Sequence, residues 1–145
     1  MTISLNMPPL ALVSLEEASV RDFAVAELQG MGYEVHPFSG ECDPALQLHS
    51  HSYRVVVLSP CGIASGALLT ELASLPMDRR RELYVVLLGD GVESRSPMAA
   101  FVQSVDLTLS LDDLAYFRTL VERGIAEQDR FYSVLKQVQQ AVRAG

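Results

Sequence analysis

Three short runs of apolar residues stand out along the chain: Leu10-Ala11-Leu12-Val13, Val55-Val56-Val57-Leu58 and Tyr84-Val85-Val86-Leu87-Leu88. Each is continuous rather than alternating, which is how a strand covered on both faces of a parallel sheet reads. Two weaker runs, Tyr33 to Phe38 and Leu107 to Leu111, supply outer strands, and Pro37 places the first of them at an edge. Between the runs the apolar period changes to that of a helix. Val20, Phe23, Ala24, Leu28 and Met31 share one side of residues 18 to 31, with Gly32 as the residue that ends the helix. Asp43-Pro44 and Ser96-Pro97 each read as an N-cap followed by proline, opening helices near 44 to 51 and 97 to 104. Ser65 to Leu75 is a further helix, stopped before Pro76, and a long one starts near Asp112 or Asp113.

Alternation of strands and helices implies a parallel sheet with helices on both faces, joined by right-handed crossovers. The expected fold is α/β: a three-layer, doubly wound, five-stranded sheet. The first, third and fourth strands are the most apolar and belong inside, which fits the order 2-1-3-4-5. The expected organisation is one α/β domain over 8–126 and a C-terminal helical extension over 127–145.

The most regular pattern is the last one. Leu114, Phe117, Val121, Gly124, Gln128, Phe131, Leu135, Val138 and Val142 recur at spacings of three and four, an a/d seam weakened in the middle by Gly124 and Gln128. Two readings stay open. Either the helix projects and pairs with another helix, for instance from a second copy, or it folds back at Gly124 or Gln128 and covers its own domain.

A length of 145 residues suits one domain with a sizeable core. The net charge of -7 repels phosphate backbones, so nucleic acid is not an expected partner. Arg79-Arg80-Arg81, between Asp78 and Glu82, reads as a solvated loop. Two cysteines make no disulfide framework. Met1 to Asn6 is too short for a signal peptide, and no apolar run is long enough to span a bilayer. A cytoplasmic location and no membrane partner are expected.

Ligands of such a sheet bind beyond the carboxyl ends of its strands, and there the chain resembles a known family. Ser14-Leu15-Glu16-Glu17-Ala18-Ser19-Val20-Arg21, Met31-Gly32-Tyr33-Glu34-Val35 and Tyr53-Arg54-Val55-Val56-Val57-Leu58-Ser59 occur in the order and spacing of response-regulator receiver domains. The resemblance covers about 110 residues and implies the flavodoxin/CheY-like form of the sheet. It also implies a pocket for a magnesium-bound aspartyl phosphate, and here the sequence departs from it. Leu15 and Glu16 stand at the two metal-binding acids, Ser59 at the phosphoacceptor aspartate, Gly89 at the switch hydroxyl and Leu111 at the lysine. The one lysine of the chain is Lys136. Serine without an activating base is a poor nucleophile, and one carboxylate is a poor magnesium site. The expected chain is a degenerate receiver, a pseudo-receiver, with no cofactor and no metal.

Other chemistry finds little support. His49, His51, His36, Cys42 and Cys61 lack metal-ligand spacing and read as scattered polar residues. Cys61 reads as an inert thiol. Gly89-Asp90-Gly91 is a turn and not a phosphate loop. No nucleophile, base and orienter can be assembled, so an enzyme is not expected. The leading expectation is a phosphorylation-independent interaction or adaptor module of bacterial signalling, with a protein partner or itself as partner. It would dimerise through Leu114, Phe117, Val121, Phe131, Leu135 and Val138. The alternative is a small-molecule sensor using the altered pocket.

Overall fold

The computed structural model describes residues 7–38 and 40–144. Met1 to Asn6, Ser39 and Gly145 lie outside the described residues. Five parallel strands form one sheet in the order β2-β1-β3-β4-β5: β1 (Leu10–Ser14), β2 (Glu34–Pro37), β3 (Tyr53–Leu58), β4 (Tyr84–Gly89) and β5 (Leu107–Ser110). The three continuous apolar runs are the three inner strands, as covered strands must be. Pro37 ends the edge strand β2.

Neighbouring residues of one strand feed opposite cores. Ala11, Val13, Val55, Val57, Val86 and Leu88 pack with α1 (Ala18–Gly30) and α6 (Phe117–Ala144). Leu12, Val56, Leu58, Val85 and Leu87 pack with α2 (Pro44–Ser50) and α3 (Ile63–Ala73) on the other face. Alternation of side chains along a strand thus produces the three layers. Helix α1 buries Val20, Ala24 and Leu28 and is closed two residues past its end by Gly32, whose φ of 95° suits glycine. Gly32 N–H donates to Gln29 O and Tyr33 N–H to Leu28 O, the paired closure expected of a glycine-terminated helix. Asp43 caps α2 through Ala45 N–H, and Ser96 caps α5 (Pro97–Gln103) through Ala99 N–H.

Three local expectations need correction. Helix α3 begins at Ile63, two residues before Ser65. Met77–Arg80 is a short helix, α4, and the arginine cluster is not a solvated loop. Arg79 donates to Leu48 O; Arg80 donates to Leu83 O, Ser104 O and the Asp106 carboxylate; Arg81 lies 5.7 Å from the centre of the Tyr132 ring. These side chains tie the amino-terminal edge of the sheet to α2, α5 and α6. The last helix does not start at Asp112 or Asp113: a 3₁₀ segment, Leu111–Tyr116, leads into α6.

Helix α6 is unbroken across Gly124 and Gln128, so the fold-back alternative does not occur. A Cβ at Gly124 would overlap the Tyr84 hydroxyl, so this glycine lets the helix pass close to β4. Gln128 donates through Nε2 to Leu83 O (2.9 Å) and accepts from Arg54 at Oε1 (2.6 Å). Arg54 also meets Asp129 at 2.7 Å. The two residues that interrupt the seam are therefore where the helix docks. The division expected at 126/127 falls inside this helix, and contacts with the body continue to Asp129 and Tyr132.

The seam itself does not stay on one side. Phe117 and Val121 are core, and Leu114 is half-buried against them. Phe131 and Val138 are exposed, and Leu135 is half-buried. A straight helix drifts about 20° per heptad relative to a 3.5-residue repeat. The row facing the sheet accordingly continues through Gln128 and Tyr132, while Phe131, Val134, Val138 and Val142 rotate away from it.

Candidate functional site

Leu15, Glu16, Ser59, Gly89 and Leu111 come from four separate segments, and all five line one cavity of about 220 Å³ at the carboxyl ends of the strands. Glu17, Val20, Pro60, Cys61, Leu88 and Asp90 complete it. The sheet order makes this happen, because the loops after β1, β3, β4 and β5 adjoin one another there.

Ser59 is embedded in hydroxyls and carbonyls. Its Oγ donates to Cys61 O at 2.6 Å and lies 2.9 Å from Ser65 Oγ. Ser65 Oγ donates to Ser14 O, accepts from Ser59 N–H and lies 3.2 Å from Ser14 Oγ. Ser14, Ser59 and Ser65 are all buried. No imidazole or carboxylate is among the hydrogen-bond partners of Ser59 in the described residues, so nothing there would take its proton.

The space beside Gly89 is closed as well. A Cβ on Gly89 would overlap Cδ and Cγ of Pro60, whose ring lies over this point. Glu16 folds toward the start of α3: its carboxylate occupies the space a Cβ on Gly62 would need, and Gly62 has a φ of 107°. Negative charge at a helix start is favourable. Glu17 accepts from Ser19. Lys136 lies far from the cavity, on α6, where it lines a surface groove with Arg54 and Asp129.

Sequence reasoning grouped these five residues and gave no role to Ser14, Ser65 or Pro60. Ser65 reads as an ordinary helix-start residue, and its partners are 6 and 51 residues away. Pro60 carried a signal, being a rigid residue directly after Ser59, but its target is only visible in three dimensions.

His36 and His51 are not scattered polar residues. His36 Nδ1 lies 2.8 Å from Tyr53 Oη and His36 Nε2 lies 3.0 Å from a Glu34 carboxylate oxygen. Gln47 donates to Tyr53 Oη at 2.6 Å, and the ring of His51 is 5.0 Å from that of His36. Tyr53 is buried at the base of this network, and burial raises its phenol above the ordinary value. His49 is exposed and apart. Among the described residues no three His, Cys, Asp or Glu side chains converge as a metal site. Cys42 and Cys61 are free and exposed. No described helix is long and apolar enough to cross a membrane.

No protein-family model matches the chain, and no curated protein matches it. Solved structures do. A protein described as a response regulator from Chloroflexus aurantiacus superposes with a TM-score of 0.60 at 20% identity, covering 83% of this chain and 99% of that one. The CheY-like protein TadZ from Pseudomonas aeruginosa gives 0.59 at 20% identity, over 80% of this chain and 98% of its own. NtrX from Brucella abortus, crystallised with ATP, gives 0.65 at 22% identity over 90% of this chain, which spans 29% of that longer structure. The chain has the receiver fold.

Proposed function

We propose that this chain is a receiver-fold interaction module of bacterial cytoplasmic signalling that works without aspartyl phosphorylation. The observation that carries the reading is the state of Ser59: a buried hydroxyl donating to Cys61 O, with the Pro60 ring over Gly89 next to it. A phosphoryl group there would need a carboxylate nucleophile, a magnesium shell and a cation for its oxygens. The resemblance puts Leu15 and Leu111 at two of those places, and both line the cavity, beside Glu16, Glu17 and Asp90. Loss of the chemistry leaves the surfaces, and the outer part of α6 is the one we assign to association. Phe131, Val134, Val138 and Val142 are 62%, 55%, 53% and 74% exposed along one side of a helix that is fixed to the body at Gln128 and Asp129. A second copy presenting the same row is the proposed partner.

Incubation with Mg²⁺ and acetyl phosphate, or with beryllofluoride, tests the first half. No adduct and no change in amide spectra are expected; a stoichiometric adduct overturns the reading. Light scattering of the full chain beside a version ending at Arg130 tests the second, since that version keeps the Arg54 contacts. A dimer lost on truncation is expected, and a full-length monomer at all concentrations defeats self-association. The alternative, a ligand sensed in the cavity of Ser59, has less support, because about 220 Å³ is below the roughly 300–1,000 Å³ of most ligand pockets.

A further inference from the structure

Helix α2 is seven residues long and buries one side chain, Leu48. Much of its remaining hold on the body is polar. Arg79 donates to Leu48 O, and Gln47 Nε2 donates to Tyr53 Oη at 2.6 Å. Tyr53 Oη lies 2.8 Å from His36 Nδ1, and His36 Nε2 lies 3.0 Å from the Glu34 carboxylate. Both nitrogens of His36 thus meet oxygens, which fixes the orientation of the ring. His51, just past the end of α2, sets its ring edge-on to that of His36 with the centroids 5.0 Å apart, and its Nδ1 lies 3.4 Å from Gln47 O. A chain of hydrogen bonds therefore runs from the edge strand β2, through β3, to α2.

The directions of these bonds depend on one proton. Tyr53 is 2% exposed, and burial raises its phenol above the ordinary value, so its hydroxyl stays protonated. A buried hydroxyl proton needs an acceptor. Gln47 Nε2 gives a proton and takes none, and the other partner of Tyr53 Oη among the described residues is His36 Nδ1. Nδ1 is therefore the acceptor, and the neutral ring carries its proton on Nε2, which donates to Glu34. An imidazolium has a proton on both nitrogens. Its Nδ1–H and the Gln47 N–H would both point at Tyr53 Oη, and the phenol proton would lose its acceptor unless Gln47 turned its amide over. Few groups face the His36 ring: Glu34 from its own strand, Tyr53 from β3, Gln47 and His51 from α2, and the apolar Leu12 beside it on β1. Glu34 favours an added proton, but its side chain is 57% exposed and the pair contributes little. A charge on His51 would oppose one on His36 and would push on the same helix that carries Gln47.

We propose that His36, Tyr53 and Gln47 form a proton-sensitive latch for α2, closed while the His36 ring is neutral and loosened when that ring takes a second proton. Histidine is the side chain whose charge changes close to neutral pH, so a modest acidification suffices to act on it. The response is local, because Gln47 and His51 move with α2 while Tyr53 stays in the sheet. The latch uses no residue of the Ser59 cavity and none of the outer row of α6. It goes beyond the interaction role proposed above and does not depend on it.

The test uses the full chain and NMR. At about pH 7.5 the nitrogen spectrum of the His36 ring should show a proton on Nε2 and none on Nδ1. Between about pH 7.5 and about pH 5.5 the amides of Gln47 to Ser50 should come to exchange on the order of fivefold faster relative to their intrinsic rates, the factor that one hydrogen bond supplies. Those of β3 and β4 should keep their protection. His36→Gln still offers Tyr53 an acceptor and should remove the pH response. Tyr53→Phe cuts the chain, so α2 should be loose at both pH values while His36 still titrates. His51→Gln should keep most of the response. A proton on Nδ1 of the neutral ring, α2 protection that does not change with pH, a response that survives His36→Gln, or one that vanishes in His51→Gln would each overturn the latch.

Discussion

The ring of Pro60 occupies the space that a Cβ on Gly89 would need. Pro60 lies just after β3 and Gly89 ends the neighbouring β4, and each explains the other: proline can lie over the strand end because its neighbour has no side chain. Gly89→Ala should therefore destabilise the fold by about 1–3 kcal/mol, the usual cost of overpacking. Pro60→Ala should lose less, and the double variant should recover most of the loss from the first. Urea unfolding of the four proteins measures this coupling directly; additive losses would mean the contact is not responsible.

The pair also marks how far the sequence can be read. Val55 to Leu58 announces a covered strand because burial on both faces leaves no polar position, and that signal is local. Asp43-Pro44 and Ser96-Pro97 announce helix starts for equally local reasons. Pro60 over Gly89 is a contact across 29 positions and has no local signature. Gly124 was misread for the same cause: within its helix it looks like an interruption, and only Tyr84, forty positions earlier, makes it a requirement. The Ser14–Ser59–Ser65 hydroxyls are ordinary residues individually, brought together by sheet order. The straight seam along α6 failed because a 3.5-residue repeat was laid on a straight helix, which drifts.

Gly124→Ala places a methyl group where the Tyr84 hydroxyl sits. The helix propensity of alanine favours this change by up to about 1 kcal/mol, yet the net effect should be a loss of stability, because α6 must move off β4. Removing the hydroxyl in Gly124→Ala with Tyr84→Phe should recover part of that loss. Thermal melts of the single and double variants check it. A stabilised Gly124→Ala would show that the helix adjusts freely.

Arg54 joins the start of β3 to Gln128 and Asp129. Asp129 is largely exposed, so the ion pair itself contributes little. The bond to Gln128 contributes more, because the other end of that amide holds Leu83 O. Arg54→Ala should cost about 1 kcal/mol. Its clearer effect should be faster amide exchange from residue 128 onward, with exchange in β3 and β4 unchanged. Protection unaltered along the outer helix would mean that Tyr132 and Arg81 suffice to hold it.

Tyr84 supplies an alkaline signature. Burial, helped by the carboxylates of Asp106 and Glu127, pushes its phenol up to about 12 from an ordinary 10.0. Below pH 10 the hydroxyl is protonated in both folded and unfolded chains, and its contribution to stability is complete. As the pH rises toward 12 the unfolded chain ionises first, so stability falls by an amount on the order of 2 kcal/mol. Ultraviolet titration of the five tyrosines should reveal one that ionises clearly last, and Tyr84→Phe should remove it. The same variant should unfold less steeply with rising pH, although burial also raises Tyr33 and Tyr53 and they keep part of the slope. Early titration of Tyr84 in the folded chain would instead mean that its hydroxyl is better hydrated than the burial of the side chain implies.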